Sequence, residues 1–216
     1  TALQFLRALV SPVAQQETVE LKAALGRVLA EDIVSPIDVP AHDNSAMDGY
    51  AFRFADAQAT SGLVISQRIP AGMAPVPLQT GTAARIFTGG LVPEGADTVE
   101  MQENCRESEG VVTLLQAPRL GANIRAAGED IACGSMVLAA GTLLGPAQLG
   151  LLASLGLTTV SVFQRLRVAL LCTGNELVPP GGVLQPGQLF NSNETLLTAV
   201  LHLSPQALLA PDRAAA

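Results

Sequence analysis

Two carboxylates stand five residues apart in the stretch Asp43-Asn44-Ser45-Ala46-Met47-Asp48-Gly49-Tyr50. They lie among small and amide side chains, just before a predicted strand. Carboxylate oxygens bind hard cations such as Mg²⁺, which often bridge to phosphates or other oxyanions. Asp43 and Asp48 are therefore candidate metal ligands. The alternative is a polar turn in which Asp43 and Ser45 bond to the backbone, and spacing alone favours that turn.

A second candidate is the stretch Phe87-Thr88-Gly89-Gly90. A threonine before two glycines offers a hydroxyl group and closely spaced backbone N–H groups, which together suit an anion. An ordinary β-turn explains the same residue types at least as well. The motif by itself leaves both interpretations open.

A third candidate is the acidic loop Gly128-Glu129-Asp130. Adjacent acids in a loop are usually solvated, and that interpretation is favoured when the loop is considered alone. In a functional loop, Asp130 would face a metal ion or the ammonium group of a ligand.

A fourth candidate, Thr173-Gly174-Asn175-Glu176-Leu177, follows a predicted buried strand. Ligands of doubly wound sheets bind beyond the carboxyl ends of the strands. The glycine would let the backbone approach a ligand, and Glu176 would hold a metal ion or a polar ring. A plain strand-to-helix loop with a solvated glutamate is an equally good interpretation.

Several familiar chemistries have no support in the sequence. It contains no GxGxxG, GxxxxGK[ST] or GxSxG motif, which argues against standard nucleotide binding and against serine hydrolase chemistry. Neither His42 nor His202 has neighbours that mark a catalytic base. The three cysteines are widely spaced and form no CxxC pair, so we expect reduced thiols.

The composition limits the class of partner. The 216 residues include 12 basic and 19 acidic side chains, for a net charge of −7. This balance argues against sequence-independent nucleic-acid binding and against electrostatic binding to anionic membranes. Apolar residues make up 49% of the chain, which allows a sizeable core, and we expect no transmembrane helix and no signal peptide.

The pattern of apolar and turn residues predicts the elements that must position these motifs. Short helices are predicted over Thr1–Val10 and Leu21–Ala30, followed by an extended segment over Glu31–Val39. Short apolar runs separated by Gly, Pro or Asp predict an all-β module from Gly49 to about Val137. Its predicted strands are Tyr50–Phe54, Leu63–Pro70, Ala84–Phe87, Asp97–Gln102 and Gly110–Leu115.

The last third of the chain predicts a different architecture. A helix begins at Gly145–Pro146 and ends at Gly156, and a strand follows over Leu157–Val162. The continuous apolar run Arg167–Thr173 predicts a buried parallel strand, with a helix over Asn193–His202 after it. This resembles the first βα unit of a doubly wound domain, and we expect that domain to be a fragment, since 14 residues follow His202.

Five stretches, taken in order, resemble one known family. The stretches VPAHDNSAMDGYA, RIFTGGLVPEGADTVEMQE, NIRAAGEDI, LGLLASLG and RVALLCTGNELV are similar to the N-terminal part of the molybdopterin molybdenumtransferases. These are the MoeA-type enzymes of molybdenum-cofactor biosynthesis, which are related to the E domain of gephyrin. The resemblance extends from Thr1 to about Leu201.

The resemblance implies a multidomain protein that combines α+β and α/β domains. A discontinuous linker domain would comprise residues 1–34 and 132–164, and an all-β domain would be inserted between them over residues 35–131. Residues 165–216 would be the truncated start of a three-layer α/β domain of the molybdopterin-binding kind. Family members form elongated homodimers, with the site between subunits.

The resemblance also implies a reaction. Family members insert molybdate into adenylylated molybdopterin and release AMP, with the help of Mg²⁺. A cytoplasmic location is implied, as is a molybdopterin adenylyltransferase as the upstream partner, with no nucleic acid and no membrane involved.

Matching the motifs residue by residue indicates which residues of this chain correspond to the family's site. Asp48, Thr88 and Asp130 would be catalytic, and Asp48 and Asp43 would hold the metal. The implied substrate-binding residues are Asn44, Ser45, Thr173, Gly174 and Glu176.

The sequence also departs from the family pattern. The family's later GG[VS]S-type glycine loop, KPGKP-type lysine loop and PGNP-type turn are not present, and neither is its fourth, small β domain. The only lysine is Lys22, far from the signature motifs, so much of the cationic anchoring that an oxyanion needs is missing. The expectation is a transferase without its C-terminal half; the alternative is a truncated, non-catalytic dimerisation or scaffold member of the same family.

Overall fold

The chain forms two compact units in a computed structural model that describes residues 4–5, 15–204 and 207–209. The inserted unit is Val34–Val137, and the flanking unit comprises the described residues up to Ile33 and from Leu138 onward. Together the elements make a mixed α+β protein. The finer division into four sequence segments stays a prediction.

The inserted unit contains ten of the strands in whole or in part and one short helix, α1 (Phe54–Ala59). Its strands, including those at the crossings between the units, are β2 (Ile33–Val34), β3 (Asn44–Ser45), β4 (Gly49–Phe52), β5 (Leu63–Ile69), β6 (Thr82–Ile86), β7 (Thr98–Met101), β8 (Cys105–Ser108), β9 (Val111–Leu114), β10 (Ile124–Arg125) and β11 (Met136–Leu138). The five strands predicted from short apolar runs between turn residues are confirmed, with bounds shifted by up to two residues, and β8 was not predicted.

Six of these strands form one sheet in the order β7-β4-β6-β5-β9-β8. All neighbours are antiparallel except β5 and β6, which run parallel. The sheet is curled, as one contact between distant strands shows. The hydroxyl group of Tyr50 on β4 donates a 2.6 Å hydrogen bond to Glu107 on β8. Three strands separate β4 from β8 in the sheet order, so only a half-barrel brings these side chains together.

Both faces of the sheet are packed. The alternation of side chains along β4 sends Tyr50 and Phe52 to one face and Ala51 to the other. One core cluster gathers Tyr50, Phe52, Leu63, Ala83 and Val112. The other gathers Ala51, Ile69, Leu78, Ala84, Ile86 and Val99.

The contact between β4 and β7 depends on Gly49. A Cβ atom at Gly49 would lie 1.9 Å from the carbonyl oxygen of Glu100, far inside van der Waals contact. Only glycine therefore allows β4 to begin where it does. This start also fixes the place of Asp48, the residue before it.

The flanking unit is built on one antiparallel pair and one helix. Strand β1 (Gln16–Glu20) pairs over its whole length with β12 (Thr159–Phe163). Helix α2 (Pro146–Ser154) begins with proline at its first turn and is followed by Gly156 at φ 78°, as predicted. The core of this unit consists of Ala24, Leu29, Ile33, Leu144, Leu152, Val160 and Val162.

The helix predicted over Leu21–Ala30 is wrong. The structure has a single 3-10 turn, Leu21–Ala23, after which Gly26 adopts φ 71°. Leu29 then bridges to Val162, and its N–H donates to the carbonyl oxygen of Thr142. Leu25 is 55% exposed while Leu29 is fully buried, so the i, i+4 spacing does not define one face. Tertiary pairing overrides the local pattern here.

The buried parallel strand predicted over Arg167–Thr173 is also wrong in length and burial. Strand β13 (Leu166–Val168) is parallel to β16 (Ala207–Leu209) but ends at Val168. Leu171 is 84% exposed. The physical reason is that β13 has a single partner strand within the described residues, so no sheet is wide enough to bury the rest of the run.

The remaining elements follow in short succession. Strands β14 (Leu177–Val178) and β15 (Leu189–Phe190) form a parallel pair, and the predicted last helix is confirmed as α3 (Ser192–His202). The helix predicted over Thr1–Val10 lies mostly outside the described residues. Within that range the structure describes Gln4 and Phe5, and both are helical. In the part of the chain that the structure covers, no helix has the length and apolar character needed to span a bilayer.

We expect Gly49→Ala to destabilise the inserted unit by about 3 kcal/mol, because the new methyl group must displace the β7 backbone. The chain has one tyrosine and no tryptophan, and Tyr50 is 5% exposed in the sheet. Tyrosine fluorescence during urea unfolding therefore reports on this unit.

The control is Gly150→Ala on α2, where a Cβ atom meets nothing within 4 Å. It should not lower the tyrosine-detected midpoint, since alanine favours a helix over glycine by about 1 kcal/mol. A Gly49→Ala midpoint equal to that of the parent chain would contradict the packing argument.

Candidate functional site

Three loops of the inserted unit meet around the short pair β3–β10. Asn44 pairs with Arg125 and Ser45 with Ile124, so the first acidic motif lies against the segment that leads into the third. The N–H of Ala127 donates a 2.8 Å hydrogen bond to the Oδ1 atom of Asp43. Motifs that lie about 80 residues apart in sequence are thereby joined.

The second motif docks on the same strand. The N–H of Gly89 donates to the carbonyl oxygen of Ser45 at 2.8 Å, and the N–H of Ser45 donates to Gly90 at 2.9 Å. The turn itself is closed by the N–H of Gly90, which donates to Phe87 at 2.8 Å, with Gly89 at φ 77°. The β-turn interpretation of this motif is thus confirmed, and the turn also carries Thr88 to the first motif.

Thr88 is bonded directly to Asp48. Its backbone N–H and its hydroxyl group both donate to the Oδ1 atom of Asp48, each at 2.8 Å. The two donors lower the pKa of Asp48 below its ordinary value of 3.8, the backbone hydrogen bond contributing most, and the charge of Arg85 acts in the same direction. Asp48 is therefore an anion at neutral pH with a fixed orientation.

Arg85 holds the strand end that follows Asp48. Its Nη1 atom donates to the carbonyl oxygen of Gly49 at 2.9 Å, and its Nη2 atom donates to the side chain of Gln102 at 2.5 Å. The N–H of Gln102 in turn donates to the carbonyl oxygen of Asp48 at 3.0 Å. The backbone on both sides of the Asp48 side chain is consequently constrained.

Asp130 is held by an arginine of the same loop. The Nη2 atom of Arg125 donates to Asp130 at 2.6 Å, and its Nε atom lies 3.7 Å from Glu129. These acids raise the pKa of Arg125, the hydrogen bond that it donates to Asp130 contributing most. Glu129 and Asp130 are exposed, as the interpretation of this loop as solvated acids predicts. Arg125 adds a cation to the loop that the sequence analysis did not single out.

Ser45 and Asn44 take part mainly through their backbones. The side chain of Ser45 is 1% exposed, and its hydroxyl group donates to the carbonyl oxygen of Met47 at 2.5 Å. This is the turn geometry considered as the alternative for the motif. Asn44 lies half-buried on β3. The substrate-binding role of both side chains stays a prediction.

Thr173, Gly174 and Glu176 lie in the flanking unit. All three are exposed, and the N–H of Leu177 donates to the carbonyl oxygen of Gly174 at 3.1 Å to close a turn. A Cβ atom at Gly174 would lie 2.9 Å from both carboxylate oxygens of Glu176, so glycine lets this carboxylate fold back over the turn. Their role in binding stays a prediction as well.

Asp43 and Asp48 are the metal ligands that the sequence predicts, and this role stays a prediction. Asp48 and Asp43 each use Oδ1 for hydrogen bonds, and no described residue donates to the Oδ2 atom of either. No group of three or more potential ligands lies together in the described part of the chain. Mg²⁺ is usually bound by one or two carboxylates and completed by substrate phosphates and water, which agrees with one free oxygen on each aspartate.

Arg85 and a further arginine, Arg68, lie against the ring of Phe87, the residue before Thr88. The guanidinium carbons of Arg68 and Arg85 lie 4.5 and 4.7 Å from the centre of the Phe87 ring. Sequence reasoning considered only lysine as the source of cations and so missed them. The alternation Arg85, Ile86, Phe87 along a strand was the available signal, because it places the arginine and the ring on one face.

Cys105 and Tyr50 are poor nucleophiles at neutral pH. Cys105, Cys133 and Cys172 are free. Burial raises the pKa of Cys105 to about 12 and that of Tyr50 to about 12, with Glu107 adding to the second shift. Both groups are therefore neutral at physiological pH, and a neutral thiol is a poor nucleophile.

Comparison with known proteins gives a consistent result. Residues 1–156 match the family described as "MoeA N-terminal region (domain I and II)". The chain is 43% identical over 210 residues to the molybdopterin molybdenumtransferase of Haemophilus influenzae, covering 93% of this chain and 51% of the relative. It is also 43% identical over 202 residues to molybdopterin molybdenumtransferase 2 of Mycobacterium tuberculosis, covering 89% and 49%.

A solved structure gives the same result for the fold. The crystal structure of the molybdopterin biosynthesis moeA protein of Pyrococcus horikoshii matches with a TM-score of 0.87 and 32% identity. The match covers 99% of this chain and 59% of that chain. The present chain thus spans about half the length of the curated relatives that it matches.

We expect Thr88→Val to raise the pKa of Asp48 toward its ordinary value, because the variant loses the hydroxyl donor and keeps the backbone donor. NMR titration of the Asp48 carboxyl carbon measures this directly. The stability that the contact provides should be present above the unfolded pKa and should disappear as the pH falls through the lower native pKa.

Thr113→Val is the control, since Thr113 is exposed on β9 and its hydroxyl group makes no contact with Asp48. It should leave the Asp48 titration unchanged. An Asp48 pKa that is the same in the parent chain and in Thr88→Val would show that the hydroxyl bond is not formed.

Proposed function

This chain belongs to the MoeA family, and we propose that it acts in molybdenum-cofactor biosynthesis, in the insertion of molybdenum into molybdopterin. The observation that carries the proposal is the double hydrogen bond from Thr88 to Asp48 at the meeting point of three signature loops. Relatives that are 43% identical bear the name molybdopterin molybdenumtransferase.

The proposed substrates are molybdate and adenylylated molybdopterin, with AMP as the leaving product. Such a substrate carries a pyrophosphate link whose negative charge must be offset before AMP can depart. Mg²⁺, when bound, would supply the positive charge that offsets it, acting as a Lewis acid. The free Oδ2 atoms of Asp48 and Asp43 are the proposed ligands.

Asp48 is the proposed central catalytic residue. Its lowered pKa keeps it ionised at neutral pH, as a metal ligand must be. Both Thr88 donors are committed to its Oδ1 atom, so Thr88 acts through Asp48 as a positioning residue. This assignment refines the catalytic role that the family resemblance implies for Thr88.

The other motif residues have supporting roles in the proposal. Asp130 orients Arg125, whose guanidinium group contributes positive charge beside Asn44 on the paired strand. The exposed turn with Thr173, Gly174 and Glu176 would bind the pterin or nucleotide part of the substrate. Ser45 would hold the signature loop in shape through its bond to Met47.

Assembly completes the proposal. The family resemblance implies a homodimer with the site between subunits, so the motifs of the two units need not meet within one chain. The substrate must come from an enzyme that adenylylates molybdopterin, which makes a molybdopterin adenylyltransferase the proposed upstream partner. A cytoplasmic setting suits both.

We expect Asp48→Asn to lower molybdenum transfer about 100-fold in a protein of the relatives' full length, because the change removes the charge and keeps the size. The measurement is the rate of AMP release from adenylylated molybdopterin in the presence of molybdate and Mg²⁺. The fold should be intact, as judged by tyrosine-detected unfolding.

The matched control is Glu109→Gln, which makes the same chemical change at an exposed turn between β8 and β9. It should release AMP at the parent rate. Parent-level transfer by Asp48→Asn would exclude the role assigned to Asp48, and no transfer by the unmodified protein would exclude the proposed function.

A further inference from the structure

Arg68 and Arg85 lie directly opposite each other on the parallel strands β5 and β6. Side chains in register on neighbouring strands point to the same face of the sheet. Like charges in that arrangement repel and destabilise the pair. A protein with only 12 basic residues and a net charge of −7 has nonetheless placed two of them side by side.

No carboxylate among the described residues forms an ion pair with Arg68 or Arg85. The ion pairs within the described part of the chain involve Arg27, Arg53 and Arg125, and neither Arg68 nor Arg85. Both guanidinium groups instead lie against the Phe87 ring, and Arg85 also lies 5.0 Å from the centre of the Tyr50 ring. The rings hold the cations in place but leave their charge available.

The two arginines differ in how much of their hydrogen-bonding capacity is used. Arg85 is half-buried and donates to Gly49 and Gln102. Arg68 is exposed, and its guanidinium group has no hydrogen-bond acceptor among the described residues. The pair therefore consists of one fixed cation and one cation with free donors.

This pair adjoins the site already described. Phe87, which both arginines contact, immediately precedes Thr88, and the charge of Arg85 reaches the carboxylate of Asp48. An anion placed at Asp48 alone would be repelled by that carboxylate. The positive charge of Arg85 offsets this repulsion, and Arg68 adds a second positive charge beside Arg85 on the same face of the sheet.

We propose that Arg68 and Arg85, held on the Phe87 ring, bind a tetrahedral oxyanion next to Asp48, with Arg68 as the residue that contacts it. The inference rests on the proposed function and deepens it, since a phosphate of the adenylylated substrate and molybdate share this chemistry. Guanidinium groups suit such anions because their N–H donors form a planar fork. In this proposal two arginines of the sheet supply the positive charge that lysine does not supply in this chain.

The test is calorimetric titration of the 216-residue chain with two probes, inorganic pyrophosphate and molybdate, in low-salt buffer. The parent chain should bind at least one of them, and added salt should weaken the binding. Arg68→Gln should raise the Kd of that probe about tenfold, since it removes one charge-assisted contact. Tighter binding of pyrophosphate would assign the pair to the substrate phosphates, and tighter binding of molybdate would assign it to the metal oxyanion.

Arg106→Gln is the control, because Arg106 is exposed on β8 and lies outside the pair. It should bind the probe as the parent chain does. Equal weakening by both variants would overturn the proposal in favour of bulk charge, and so would failure of the parent chain to bind either probe. Because this readout is binding, it is separate from transfer: binding without AMP release would count against the proposed function and leave the oxyanion site intact.

Discussion

The contact between Thr88 and Asp48 is the interaction on which the site depends. Two donors from one residue converge on one carboxylate oxygen, which fixes the side chain, keeps it ionised and leaves the second oxygen for a ligand. Neither motif does this alone. The signature loop supplies the charge, and the glycine turn supplies both donors.

The scaffold around this contact is arranged to hold two loops at a fixed distance. Gly49 allows β4 to press against β7, which determines where Asp48 leaves the sheet. The backbone bonds between Ser45 and the turn at Gly89–Gly90 determine where Thr88 stands. The curled sheet then places Arg85 between them, so that one cation steadies the strand end and acts on the carboxylate. Charge and geometry are set by the same few backbone contacts.

The sequence singled out the motifs but not their arrangement in space. The motifs could be recognised because carboxylate, threonine and glycine residues stand in a specific order, and the strands could be recognised because short apolar runs are separated by Gly, Pro or Asp. The helix predicted over Leu21–Ala30 was wrong because the backbone there is committed to strands far along the chain. The strand predicted over Arg167–Thr173 was wrong because burial depends on neighbouring strands, which a local run does not reveal. The pairing of Arg68 with Arg85 depends on strand register, and a parallel neighbour 17 positions away gives no local signal of it.

The most direct test of the account is a double-mutant cycle on molybdenum transfer, with Asp48→Asn, Thr88→Val and the double variant in a protein of the relatives' full length. If Thr88 acts through Asp48, Thr88→Val lowers the AMP-release rate when Asp48 is present and has no further effect when asparagine replaces it. The double variant then equals Asp48→Asn. If the two losses multiply, Thr88 contacts the substrate independently, and the central claim that the Thr88–Asp48 pair works as one unit is wrong.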